Sequence, residues 1–94
     1  MADFHYGESA PEFVPDLPRG FRDGEGEVVR EVGCLQEVDH ERYWNCIQLI
    51  KMEDGTEEIR AGYYSESGGW ANKPLMLPPH AFSDLMDFAD GKVY

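Results

Sequence analysis

The sequence predicts a small α+β domain in which a four-stranded antiparallel β-meander is followed by one C-terminal α-helix. The first observation is Asp54-Gly55, which separates two runs rich in β-branched and aromatic residues and is a strong short-range signal of a β-hairpin. The second is that one further run with strand composition precedes the hairpin and a short one follows it. The third is that the end of the chain has apolar residues at helical spacing. Strands therefore come first and a helix comes last.

The 94 residues suffice for a single domain, preceded by an arm. Residues 1–26 contain three prolines and four glycines among acidic residues, so we expect an extended or disordered N-terminal arm. The arm also carries apolar residues, which leaves two alternatives open: a mobile tail, or a segment that packs across the domain or onto a partner. Residues 27–94 are expected to form the single β-meander plus helix domain.

The first strand is expected within residues 27–38. Its content of β-branched residues favours a strand over the alternative, a helix, and Gly33 is expected to mark a β-bulge. Four apolar residues of this run share one parity: Val28, Val32, Cys34 and Val38.

The hairpin is expected to comprise residues 43–52 and 57–65, joined by a two-residue loop that places Lys51 opposite Glu58. Period-2 alternation then divides its side chains between two faces. The face expected to form the core holds Trp44, Cys46, Ile50, Met52, Ile59, Ala61 and Tyr63. The other, mixed face holds Asn45, Ile47, Leu49, Lys51, Arg60 and Tyr64. We expect the function to use the mixed face or the groove beside it.

The remaining elements follow the hairpin. Trp70 lies in a glycine-flanked loop, either packed onto the domain or used for binding. Residues 73–77 are expected to form the fourth strand, with Pro74 indicating an edge position or a strand start. A helix is predicted from about Pro79 to Ala89, because proline is tolerated at the first helical position. Its apolar stripe is Phe82, Leu85, Met86 and Ala89.

No pattern in the chain indicates catalysis. The chain has no P-loop, G-x-G-x-x-G, C-x-x-C, H-E-x-x-H or G-x-S-x-G motif, and its three histidines have no ligand spacing. We therefore expect no enzyme, no cofactor and no metal site. Cys34 and Cys46 are expected to be buried free thiols, although a disulfide is possible if their strands are neighbours in the right register.

Charge and hydropathy restrict the partners and the location. Nineteen acidic against eight basic residues give a net charge of −11, whereas a generic nucleic-acid binder is expected to be basic. Three interpretations remain open: a solubility adaptation, a protein-binding module, or an imitation of a phosphate backbone. No run approaches a membrane span and no signal peptide is visible. We expect a soluble intracellular protein, cytoplasmic or nucleoid-associated.

A set of short motifs appears in order between the hairpin and the helix. They are Ile59-Arg60, the aromatic Tyr63, the turn-rich Ser65–Trp70 loop, Lys73-Pro74-Leu75-Met76-Leu77 and Pro78-Pro79-His80-Ala81-Phe82. This order, over roughly residues 27–90, resembles the single-stranded-DNA-binding domain of the transcriptional coactivator positive cofactor four and its bacterial relatives. The chain departs from that pattern in three ways. Pro74 replaces a glycine, Pro78 replaces a helix-capping serine, and the flanking basic residues are largely missing.

The resemblance implies a homodimer that holds single-stranded nucleic acid across a curved sheet surface, as a transcription or replication accessory factor. The nucleic-acid-binding residues implied in this way are Arg60, Lys51, Lys73, Trp44, Tyr63 and Tyr64. Bases that stack on aromatic rings would supply the affinity, although cross-strand packing is the alternative role for Arg60 and Tyr64. The alternative function is an acidic protein-interaction module, or nucleic-acid mimic, that binds a basic protein partner.

Overall fold

The computed structural model describes residues 4–21, 24–71 and 73–94. Within these ranges the chain forms six strands and one helix. They are β1 (His5–Gly7), β2 (Arg19–Phe21), β3 (Gly26–Val38), β4 (Glu41–Met52), β5 (Glu57–Ser65), β6 (Gly69–Trp70) and α1 (Pro79–Ala89). The strands make one antiparallel sheet in the order β1-β3-β4-β5-β6, with β2 also paired to β3.

This architecture confirms the α+β class, the antiparallel sheet and the C-terminal helix. Three of the four predicted strands are found, as β3, β4 and β5. Residues 73–77 form no strand; they cross the sheet as an irregular segment that ends at Pro78. The additional strands are β1 and β2 from the N-terminal arm and the short β6. Two short strands of the arm are therefore joined to β3.

The two hairpin turns explain an error in the predicted register. The two-residue turn lies at Asp39-His40, where both residues have positive φ, as a type I′ turn requires. At Asp54-Gly55 the loop has four residues, and the Met52 N–H donates to the Thr56 carbonyl at 2.8 Å. Asp54 Oδ1 accepts from the Thr56 N–H at 3.0 Å, which stabilises the longer turn. Lys51 consequently pairs with Glu57, and not with Glu58 as predicted.

A shift of one residue in register exchanges the faces of β5 relative to β4. Gln48 pairs with Arg60 and Trp44 pairs with Tyr64, so Arg60 and Tyr64 lie on the Trp44 side of the sheet. The predicted division into a core face and a mixed face is therefore wrong. We name the two sides by what covers them. The helix face carries Tyr43, Asn45, Ile47, Leu49, Ile59 and Tyr63, and the arm face carries Trp44, Cys46, Gln48, Ile50, Arg60 and Tyr64.

The helix α1 covers β3 and β4 on the helix face. The buried cluster between them is Val32, Cys34, Ile47, Leu85, Ala89 and Val93. The bounds of α1 agree with the prediction, but its buried stripe is rotated: Ala81 is fully buried, whereas Phe82 is 44% exposed. Alanine on the inner side lets the helix approach the sheet closely, which leaves the larger Phe82 ring outside.

The arm covers the opposite side of the sheet. Its Val14 is buried against Trp44, Cys46 and Tyr64, and its Phe21 is buried in a second cluster with Val28 and Ile50. Both faces of the sheet therefore have a core, although the described residues form one helix.

Two glycines make room for the tryptophans on the arm face. A Cβ at Gly33 would lie 2.7 Å from the Trp44 ring, and a Cβ at Gly62 would lie 2.2 Å from the Trp70 ring. Gly33 is thus a packing position, and the β-bulge predicted there lies instead between Val28 and Arg30. Trp70 packs onto the domain.

Cys34 and Cys46 are buried free thiols, as predicted. They lie in adjacent strands, but Cys34 pairs with Asn45 and Cys46 pairs with Gly33, so the two side chains project from opposite faces of the sheet. The helices of the described chain include none that is long and apolar enough to cross a membrane.

Candidate nucleic-acid interface

Polar and aromatic side chains gather in two places, one on each face of the sheet. On the arm face they form a buried polar cluster of Arg19, Glu31, Gln48, Arg60 and Tyr64. On the helix face they line an open groove. The six predicted binding residues are distributed between these two places and the tip of the β4–β5 hairpin.

An ion pair between the arm and β3 lies at the centre of the buried polar cluster. The Arg19 guanidinium donates to both Glu31 carboxylate oxygens, at 2.7 and 2.9 Å, and the two side chains are only 9% and 2% exposed. Arg19 also donates to the Tyr64 hydroxyl at 3.0 Å. Gln48 donates to Glu31 at 2.7 Å and accepts from Arg60 Nε at 2.8 Å. The network therefore extends across four strands of the sheet, β2 to β5.

Burial and hydrogen bonding act in opposite directions on the acid of this cluster. Burial alone would raise the pKa of Glu31, but hydrogen bonds from Arg19 and Gln48 and the charge of Arg19 outweigh it, so the pKa lies below its ordinary value. Glu31 is therefore ionised at neutral pH, and its charge is balanced by Arg19.

Aromatic rings enclose the second arginine of the cluster. The Arg60 guanidinium carbon lies 3.9 Å from the centroid of the Trp70 ring and 4.9 Å from that of Phe21, a cation–π arrangement. Burial lowers the pKa of Arg60, although the group stays charged because an arginine pKa is far above neutral. Trp70 in turn contacts Tyr64 edge to face, with centroids 5.1 Å apart.

Three of the predicted binding residues thus belong to packed surroundings. Trp44 is 2% exposed and Tyr64 is 6% exposed, and Arg60 is held by Gln48 and the two rings. In this structure all three make packing contacts within the domain, as the alternative role for Arg60 and Tyr64 expects. Their assignment to a binding site stays a prediction.

The helix-face groove contains two other predicted residues, Tyr63 and Lys73. It has a volume of about 410 Å³ and is lined by Gln36, Val38, Tyr43, Asn45, Tyr63, Lys73, Pro74 and Met76, a size typical of ligand sites. Strands β3, β4 and β5 form its floor, and the irregular segment before α1 forms one wall. Met76 on that wall is 83% exposed.

Aromatic and amide groups form the floor of the groove. The rings of Tyr43 and Tyr63 meet edge to face with centroids 6.0 Å apart. Asn45 Nδ2 donates to Gln36 Oε1 at 3.2 Å and lies 3.4 Å from the Cys34 carbonyl. Among the contacts described, Asn45 Oδ1 and the Gln36 amide N–H groups have no protein partner, so an acceptor and donors remain for a ligand.

The charge of the groove differs from that of the whole protein. Among the described residues that line it, Lys73 is charged and none is an aspartate or glutamate. The chain as a whole carries nineteen acidic residues. The groove is thus a place where an anionic ligand meets one cation and no lining carboxylate.

The sixth predicted residue, Lys51, lies away from the groove. It is exposed near the hairpin loop and pairs with Glu57, whereas Tyr63 is six residues further along β5. About 20 Å therefore separates the two positions along the strand. Lys51 and Lys73 cannot contact the same nucleotide.

Sequence reasoning missed the other residues of the groove, above all Tyr43, Gln36 and Met76. With the correct hairpin register, Asn45 pairs with Tyr63, and Tyr43 projects from the same face. A correct register, derived from the sequence, would therefore have identified Tyr43 as a groove residue. The contribution of Gln36 and Met76 depends on long-range packing, which local patterns do not indicate.

Comparisons with protein-family models, with curated proteins and with solved structures found no match to this chain. The resemblance to positive cofactor four therefore stays a prediction. Over the described ranges, no three histidine, cysteine, aspartate or glutamate side chains come together as a metal-binding group.

Proposed function

We propose that this protein is a non-catalytic single-stranded nucleic-acid-binding domain and that the helix-face groove is its binding site. One observation supports this most directly: two tyrosine rings and a lysine line a groove without a lining carboxylate, on a protein of net charge −11. Tyr43 and Tyr63 offer rings to unpaired bases, and Lys73 offers a cation to a phosphate.

The chemistry of the groove fits unpaired bases better than a duplex. Stacking requires an exposed base face, which a single strand offers and a double helix hides between neighbouring base pairs. Asn45 Oδ1 and the Gln36 amide can hydrogen-bond a base edge on the floor of the groove. A duplex would also bring more phosphates within the roughly 10 Å range over which the protein's negative charge repels them at 0.1 M salt.

We expect single-stranded nucleic acid to bind weakly to this groove. Two bases stacked on Tyr43 and Tyr63 contribute about 2–6 kcal/mol at about 1–3 kcal/mol each, so the Kd is at best in the tens of micromolar. With Lys73 as the single phosphate contact, log K should fall with log salt concentration at a slope of about −0.7. A conventional basic binder has a steeper slope.

Fluorescence anisotropy of a labelled oligothymidine, titrated with protein to near-millimolar concentration at low salt, tests this proposal. Tyr63→Leu and Lys73→Ala should each weaken binding several-fold. The matched control is Lys51→Ala, which removes the same charge at the far end of the β4–β5 hairpin and should leave binding unchanged. Thermal unfolding of each variant confirms that the fold is retained. Absence of binding by the unaltered protein, or equal losses for Lys51→Ala and Lys73→Ala, would contradict the proposal.

The hairpin tip favours a second candidate function, capture of a basic protein partner. Glu53, Asp54, Glu57 and Glu58 are all exposed there, and the described arginines of the arm face are already paired or enclosed. The negative potential of these exposed carboxylates attracts cationic partners. A Glu53→Gln/Glu57→Gln variant should then bind a lysine-rich peptide more weakly than the unaltered protein, whereas oligothymidine binding should stay the same or improve.

A further inference from the structure

The outer edge of β5 is largely unpaired. Its inner edge pairs with β4 from Glu57 to Ser65, but its outer edge pairs with β6 only at Tyr64 and Ser65. One more hydrogen bond, from the Ala71 N–H to the Tyr63 carbonyl at 2.9 Å, ends that contact. Over the part of the chain that the structure describes, the outer edge of residues 57–62 has no backbone partner.

The direction of the backbone groups along this edge follows from the Tyr63 bond. Because N–H and C=O groups alternate between the two sides of an antiparallel strand, the residues of the same parity as Tyr63 point outward. These are Glu57, Ile59 and Ala61. Residues of the other parity point toward β4, as the Thr56 carbonyl does when it accepts from Met52.

We propose that this edge pairs with the same edge of a second copy of the chain, antiparallel and centred on Ile59. In that register the two Ile59 residues exchange both backbone hydrogen bonds, and Glu57 pairs with Ala61 of the second copy on each side of the two-fold axis. All outward N–H and C=O groups of the three residues gain partners. Six hydrogen bonds join the two sheets.

The side chains are self-complementary in this register. Glu58 and Arg60 flank Ile59, so a two-fold axis at Ile59 places each Glu58 opposite Arg60 of the second copy. Residues of opposite charge are therefore opposite each other twice, which favours cross-strand pairing. The Arg60 guanidinium keeps its contacts with Gln48 and Trp70, so it attracts Glu58 of the second copy without needing a new hydrogen bond. On the helix face the two Ile59 side chains, 47% exposed in the single chain, cover each other.

Neighbouring registers lack this complementarity. An axis at Glu58 or at Arg60 places two like charges directly opposite, which is destabilising. An axis at Ala61 would require Tyr63 to pair with Ile59 of the second copy, but the Tyr63 carbonyl is already bonded to Ala71. Charged residues on an edge strand usually prevent pairing; here one register converts them into an attraction.

The pairing also arranges the two grooves. A two-fold axis through an in-plane strand pair is perpendicular to the sheet, so both helix faces lie on the same side. Tyr63 is four residues from Ile59, or about 13 Å along the strand. Each groove then lies about 13 Å from the two-fold axis along the strand, and the two grooves lie on opposite sides of the axis.

Disulfide trapping tests the register. Residues that exchange both hydrogen bonds in an antiparallel pair have Cα atoms about 5.5 Å apart, within the range that a disulfide can span. Ile59→Cys should therefore give a cross-linked dimer under mild oxidation. Glu57→Cys is the matched control: position 57 is exposed on the same face of the same strand, but its partner is Ala61, so the two introduced thiols are four residues out of register. That variant should stay uncross-linked.

The native thiols do not interfere, because both are buried and burial raises their pKa, that of Cys34 to about 11. Equal cross-linking at positions 57 and 59, or none at either, would overturn the proposal.

Sedimentation provides a second test that needs no new cysteine. The unaltered protein should form dimers at high micromolar concentration. Ile59→Pro removes an N–H that points outward and is not used by β4, so the variant should keep its fold by circular dichroism and sediment as a monomer. A monomeric unaltered protein, or an Ile59→Pro variant that is folded and still dimeric, would refute the pairing.

Discussion

Arg19→Met is the substitution of one polar side chain for which the structure predicts the largest loss of stability. The change removes both hydrogen bonds to Glu31, the bond to the Tyr64 hydroxyl and the bond from Nε to the Pro15 carbonyl, while the methionine keeps most of the apolar stem. The Glu31 carboxylate, 2% exposed, then loses its balancing charge and keeps Gln48 and the Cys46 thiol as side-chain donors. Removal of one partner from a buried ion pair costs about 3–5 kcal/mol.

This loss is large for a chain of 94 residues, since a domain has about 5–15 kcal/mol of stability in total. A domain of this length loses about 4–8 °C of Tm for each kcal/mol, so Arg19→Met should lower Tm by at least about 12 °C. Urea unfolding followed by tryptophan fluorescence measures the change, because Trp44 and Trp70 both pack on the arm face beside this cluster.

Arg42→Met provides the matched control. Arg42 also connects the arm to the sheet, through Glu12 at 2.8 Å and Glu66 at 2.7 Å, but its side chain is 32% exposed and water screens both pairs. The loss of stability in Arg42→Met should therefore be much smaller than in Arg19→Met. Adding Glu31→Gln to Arg19→Met removes the uncompensated charge and should recover part of the stability. If Arg19→Met and Arg42→Met cost the same, or if the double variant is less stable than Arg19→Met, the buried charge does not determine the stability.

Three further predictions concern buried residues on both faces of the sheet. Since the folded-state pKa of Glu31 lies below its unfolded value, its contribution to folding stability is complete above the unfolded pKa and is lost as pH falls through the folded pKa. Urea unfolding at decreasing pH should show a decline in the free energy of unfolding that Glu31→Gln flattens. An equal decline in both proteins would contradict this. Cys34 and Cys46, with raised pKa values, should react with a thiol reagent at pH 8 at the rate of unfolding, whereas rapid labelling of the native protein would refute their burial. Gly62→Ala, whose Cβ would lie 2.2 Å from the Trp70 ring, should lower stability by about 1–3 kcal/mol and change the tryptophan emission, and an unchanged spectrum would contradict the packing of Trp70.

Local patterns predicted the elements whose structure is determined locally. The helix has the bounds Pro79–Ala89 because Pro79 suits its first turn and apolar residues recur at helical spacing. Strand β3 was predicted from its β-branched residues, and the buried state of Cys46 from the alternation in β4. In each case the signal and the structure lie within about a dozen residues of sequence.

The errors arose at one turn whose loop length was predicted wrongly, and in segments whose structure depends on distant residues. Asp54-Gly55 indicated a turn correctly, but the hydrogen bond from Thr56 to Asp54 favours a four-residue loop, and the register moved by one. That shift placed Arg60 and Tyr64 on the wrong face. The arm showed the prolines and glycines of an irregular segment, yet Val14 and Phe21 complete the core because the sheet offers them Trp44 and Ile50.

Only part of the candidate site was predicted, because the hairpin register decides which side chains face the groove. Tyr63 and Lys73 line one groove, whereas Trp44 and Tyr64 belong to the core of the arm face. Aromatic composition in a strand indicates that rings are present, but the side to which each ring projects depends on the register. The groove itself requires the irregular segment with Pro74 and Met76 to cross the sheet, which no periodicity indicates.

Amide chemical-shift mapping during a titration with oligothymidine tests the central claim most directly, because it reports where the ligand binds. We predict that the largest shifts cluster at Tyr43, Asn45, Tyr63 and Lys73, and that they saturate together with a Kd no tighter than tens of micromolar. Residues of the hairpin tip should remain unshifted. Shifts confined to the arm or to the hairpin tip, or no shifts at near-millimolar ligand, would contradict a nucleic-acid site in the helix-face groove.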